Sequence, residues 1–154
     1  MELYALSSAR AADRAYEFLR EFVPDWVPCT DEFPVPELSD CPTQEFHRVS
    51  DILNYLETHE TERYGLYFGN KAVNAEIETG MLFFTEDGGM ILGLGMFSGV
   101  LVGRSKKKFR EYIELLQDLA ETEHIWVTSE QRPPDKTSEF VALCKIPLEW
   151  EELS

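Results

Sequence analysis

The sequence predicts an α+β fold, with a mainly antiparallel sheet of five to six strands and three helices in the order βα-loop-α-βββ-α-ββ. Two observations lead there. GMLFFTEDGGMILGLGM, residues 80 to 96, reads as two apolar strands around a Glu-Asp-Gly-Gly turn, with Asp87-Gly88-Gly89 able to accept positive φ. Further on, Phe109, Tyr112, Ile113, Leu116, Leu119 and Ala120 recur at helical spacing, so helices stand apart from hairpins.

The elements follow in order. ELYAL (2–6) reads as a strand, and Ser7 or Ser8 is placed to cap a helix reaching Val23, where Pro24 stops it. Residues 24–45 hold five prolines and six acids, which predicts a long irregular segment. Its Trp26, Val27, Phe33, Val35 and Leu38 are too apolar for a free linker. A second helix fits 45–58, through Phe46, Val49, Ile52, Leu53 and Leu56. YGLYFG (64–69) is a strand, and NKAVNAEIE (70–78) is an extended loop or a further short strand. The hairpin 81–85 and 90–96 follows, FSGVLVG continues or bulges it, and the long helix begins near Ser105. HIWVTS (124–129) and EFVALCKI (139–146) complete the strands, and an acidic tail spans 147–154.

With 154 residues and 44% hydrophobic content, the chain is expected to form one globular domain over residues 1–154. Charge is its unusual property: 29 acidic against 14 basic residues, a formal −15. That field repels phosphate, so neither nucleic acid nor an anionic membrane surface is an expected partner, and a basic protein is. Cys29, Cys41 and Cys144 lack C-x-x-C spacing, which excludes a disulfide framework and fits a cytoplasmic location. No signal-like or membrane-spanning apolar run occurs.

Strand alternation sorts side chains by face. Leu66, Phe68, Leu92, Leu94, Ile125 and Val127 form an aliphatic face. The opposite face combines Gly65, Gly69, Gly93 and Gly95 with Tyr67, Phe97 and Trp126. Either a helix packs over those glycines or they floor a shallow aromatic surface open to a ligand or partner.

Tests for chemistry return little. GLGMFSG is one residue off the dinucleotide fingerprint and lies in a hairpin, which argues against nucleotide binding. The basic cluster RSKKKFR (104–110) reads as a solvated first helical turn. His47, His59 and His124 show no zinc spacing, so no metal, cofactor or catalytic residue is expected. The acids of DEFPVPELSD (31–40) interleave with Phe33, Val35 and Leu38, as in a loop combining steering with apolar anchoring.

GMLFFTEDGGMILGLGM with the Ser105 helix resembles the hairpin-plus-helix of small acidic immunity proteins, which protect bacteria against polymorphic or contact-dependent toxins. Such families share a role and not a fold, so no site residues carry over. The resemblance implies a non-enzymatic inhibitor that covers a toxin, often a cationic nuclease. The expected binding residues are Asp31, Glu32, Phe33, Glu37 and Asp40, with Tyr67, Phe97 and Trp126 as anchors. The alternative is a small-molecule-binding or regulatory domain built on the glycine–aromatic face.

Overall fold

Side-chain alternation in the central strands shapes the architecture, because it gathers large apolar residues on one face that the helices cover. The computed structural model describes residues 1–72, 75–96 and 106–146. Eight strands and four helices occur among them: β1 (Glu2–Leu6), α1 (Ala12–Phe22), β2 (Trp26–Pro28), β3 (Phe33–Val35), β4 (Gln44–Phe46), α2 (Val49–Thr58), β5 (Tyr64–Asn70), β6 (Ile77–Phe84), β7 (Met90–Met96), α3 (Lys106–Ala120), β8 (Ile125–Thr128) and α4 (Thr137–Cys144). Six strands form an antiparallel sheet in the order β2-β5-β6-β7-β1-β8, and β3 and β4 form a separate two-stranded hairpin.

The aliphatic face lies as the alternation predicts. Leu3, Leu66, Phe68, Leu82, Leu92 and Leu94 are buried under α1, α2 and α3, which contribute Phe18, Leu19, Ile52, Leu53, Leu56 and Leu116. The β6–β7 turn is also as expected, with Gly88 at φ 90°.

The other face carries a smaller core of Tyr4, Met81, Phe83, Ile91 and Phe140. Gly93 sits directly opposite Tyr4 in the β1–β7 register. A Cβ at Gly93 would lie 2.6 Å from the Tyr4 ring, so the glycine is the space into which that ring folds. The middle of this face is closed by its own aromatics, and α4 packs over it through Phe140.

EFVALCKI, expected as a strand, is helix α4. A short apolar run does not reveal its period, and the deciding group is remote in sequence. The Asp87 carboxylate, from the β6–β7 turn, accepts the Thr137 N–H at 3.0 Å and the Thr137 hydroxyl at 2.7 Å, capping the helix from outside. The fourth helix, the three short strands between residues 26 and 46 and the later start of α2 are the main departures from the expected order.

Neither Ser7 nor Ser8 caps α1, which starts at Ala12; the Ala12 N–H is accepted instead by the Glu57 carboxylate at 3.4 Å. The Ser7 hydroxyl instead closes a local turn with Ala9, donating to its carbonyl at 2.8 Å and accepting its N–H at 3.2 Å. Arg10, in the same connection, donates to five carbonyls: Leu56 and His59 at the end of α2, Glu62, and Thr85 and Gly89 of the β6–β7 turn, at 2.8–3.0 Å. One guanidinium thus ties α2 to the hairpin. No helix among the described residues is long and apolar enough to cross a membrane. FSGVLVG and the acidic tail lie outside the described residues.

Candidate functional site

The prolyl segment is built around its buried residues. Phe33 and Val35 alternate into the main core, at 2% and 1% exposure, which fixes β3; β4 pairs with it through Phe33–Phe46 and Val35–Gln44. Before it, β2 runs along β5, and the Cys29 N–H reaches the Tyr67 carbonyl at 2.9 Å. The chain then leaves the sheet. Thr30 closes the crossing, its hydroxyl accepting the Glu32 N–H and donating to the Glu32 carbonyl. Between this crossing, the β3–β4 hairpin and the edge of β5 lies a groove of about 440 Å³, within the size range of ligand sites.

Its lining includes the buried Phe33, Tyr64, Gly65 and Leu66 and the exposed Leu38 and Tyr67. Leu38 is the unusual member. It is 82% exposed and has φ 60°, a left-handed conformation that a leucine adopts only at a cost of roughly 1–2 kcal/mol. An exposed apolar side chain on strained backbone gains nothing for folding.

At one end Glu37 pairs with Arg132 at 3.0 Å, and the guanidinium stacks 5.1 Å from the centroid of Phe83. This pair rests on Gly65, where a Cβ would come within 3.2 Å of both side chains. Burial, helped by Glu37 and opposed by Arg132, raises the Tyr67 phenol above its ordinary value, so it is a neutral donor at physiological pH. Tyr64 is raised for the same primary reason, with Glu37 and Glu62 adding to it. The groove therefore offers aromatic faces, a phenol, an exposed aliphatic residue and carboxylates. Among the described residues no cluster of three or more His, Cys, Asp or Glu side chains is arranged to hold a metal.

The expected site residues divide into three groups. Glu32, Phe33, Glu37 and Tyr67 meet at this groove. Phe33 is a core residue that anchors the hairpin and does not reach outward. Asp31 and Asp40 are exposed on the same segment and, like Glu32, enter no ion pair among the described residues. Trp126 shares a sheet face with Tyr67 but belongs to the opposite end of the sheet. The two are linked through a chain of rings, Tyr67–Phe83 at 5.6 Å, Phe83–Tyr4 at 5.9 Å and Tyr4–Trp126 at 5.7 Å. Phe97 lies outside the described residues. Gly65 and Arg132 were not singled out as site residues; Arg132 lies in the turn-rich EQRPPDKTS, and only the fold brings it to Glu37.

No family model matches this chain, and no curated protein or solved structure matches it.

Proposed function

We propose that this chain is a non-enzymatic protein-binding module whose groove receives part of a basic partner protein, the role that small acidic immunity proteins perform against toxins. The observation that carries the reading is Leu38, held exposed on strained backbone beside a largely apolar groove. Apolar anchors ringed by polar groups are what interface hot spots are made of. On the same segment Asp31, Glu32 and Asp40 enter no ion pair among the described residues, in a chain of formal charge −15. Such charge steers a cationic partner, and the anchor then holds it.

The test is selection of a random-peptide library on the intact protein at low ionic strength, with Leu38→Gly and Glu32→Lys proteins as counter-selections. Enriched peptides should combine lysine or arginine with aliphatic residues, release at high salt and avoid both variants. Acidic or uncharged winners, or winners that bind the variants equally, contradict the reading.

The groove's volume also favours a second reading, a small amphipathic ligand lying against Tyr67. Such a ligand separates from the first by binding that is insensitive to salt.

A further inference from the structure

Resting on that reading, we propose that the partner's segment docks by strand addition along the outer edge of β5, from Gly65 to Tyr67, as an extended stretch alternating cationic and apolar residues.

The outer side of this stretch is unpaired among the described residues because β2 is short; Tyr67 is exposed there and Gly65 lies at the base of the groove. β2 ends at Pro28, opposite Phe68, and only the Cys29 N–H continues along β5. N-terminal to that point, β5 pairs with β6 alone among the described residues. The direction of its peptide groups follows from the existing bonds. Cys29 N–H donates to the Tyr67 carbonyl at 2.9 Å, and Lys71 N–H donates to Asp25 at 3.2 Å. Antiparallel strands alternate the side to which peptide groups point, so the odd-numbered residues of β5 face outward. The β5–β6 register runs unbroken from Tyr64 to Gly69, so Gly65 obeys the same alternation. The groove lies along that stretch.

Side-chain alternation then sets the partner's chemistry. On one face an added strand meets the Tyr67 ring and the Glu37 carboxylate, which suit a lysine or arginine through cation–π and ionic contact. A partner cation there competes with the half-exposed Arg132 for Glu37. The aliphatic contact is the exposed Leu38, which lines the same groove and suits an aliphatic side chain. Main-chain bonds supply affinity in such complexes, and the alternating pockets supply selectivity.

The test uses a short synthetic peptide alternating lysine and valine, and the same peptide N-methylated at alternate residues. Both are titrated into ¹⁵N-labelled full-length protein, with amide exchange followed in parallel. Strand addition slows exchange of the Gly65 and Tyr67 amides, and N-methylation on the bonding edge weakens binding about tenfold or more. A peptide that shifts the Leu38 and Tyr67 amide signals but leaves exchange of the Gly65 and Tyr67 amides unslowed and tolerates N-methylation overturns strand addition, while the groove stays a protein-binding site. A peptide that perturbs no groove residue overturns both.

Discussion

Replacing Gly93 by alanine puts a methyl group 2.6 and 2.7 Å from two carbons of the Tyr4 ring and 3.2 Å from the Met81 Cβ. Two effects oppose each other. Alanine reduces the freedom of the unfolded chain, which alone stabilises by about 0.4–1 kcal/mol. Against it stands overpacking, which costs about 1–3 kcal/mol where the neighbour cannot yield. Tyr4 has little room to yield. It is 2% exposed, stacked on Trp126, edge-on to Phe83, and its hydroxyl donates to the Gln131 carbonyl at 3.1 Å. Overpacking therefore wins, and Gly93→Ala should destabilise by about 1–2 kcal/mol, lowering the melting temperature by roughly 2–8 °C. Gly95→Ala is the control, because its Cβ meets nothing closer than the Thr79 Cβ at 3.3 Å; it should lie within about 0.5 kcal/mol of wild type. Denaturant unfolding of both variants, alone and with Tyr4→Leu, checks the cause. Gly93→Ala should cost less in the Tyr4→Leu background. Equal stability of Gly93→Ala and wild type, or a larger loss at Gly95 than at Gly93, refutes the reasoning.

Other perturbations follow from the same geometry. Arg10→Ala strips donors from five carbonyls and should cost about 2–4 kcal/mol in thermal unfolding, with Arg10→Lys recovering only part, since an ammonium cannot span them. Burial alone would raise the Asp87 carboxyl, but bonds from the Thr137 hydroxyl and N–H outweigh it and the group is lowered. Its contribution is therefore complete above the ordinary carboxylate value of about 3.9 and is lost as pH falls through the lower folded value. Acid unfolding of Asp87→Asn should accordingly show a shallower loss of stability below about pH 4 than wild type. Leu38→Gly relieves the left-handed backbone and should stabilise by about 1 kcal/mol while weakening capture of lysine-rich peptides, a trade visible by pairing melting curves with binding isotherms.

Much of the fold was legible because alternation is a local property. Which side chains of β5, β7 and β8 share a face follows from residues two apart in sequence. Where the deciding partner is distant, the sequence was silent. Helix α4 depends on a cap from Asp87, fifty residues earlier. Whether the glycine-rich face is covered or open stayed undecided in the sequence because nothing in β7 announces that the Tyr4 ring, from the other end of the chain, fills Gly93. The same distinction governs the site. Acids interleaved with Phe33, Val35 and Leu38 marked the right segment, yet only tertiary packing decides that Phe33 turns inward while Leu38 stays out. The joining of Glu37 to Arg132 spans most of the chain and left no local trace.

Affinity of the alternating lysine–valine peptide as a function of salt tests the central claim most directly, measured on wild type, Glu32→Lys and Leu38→Gly. Raising ionic strength from ~0.05 to ~1 M shortens the screening length from more than 10 Å to about 3 Å. Binding should weaken steeply over that range, be weaker at low salt for Glu32→Lys, and drop for Leu38→Gly at every salt concentration. Affinity that holds constant with salt and is indifferent to both substitutions would contradict a groove made to hold a basic partner.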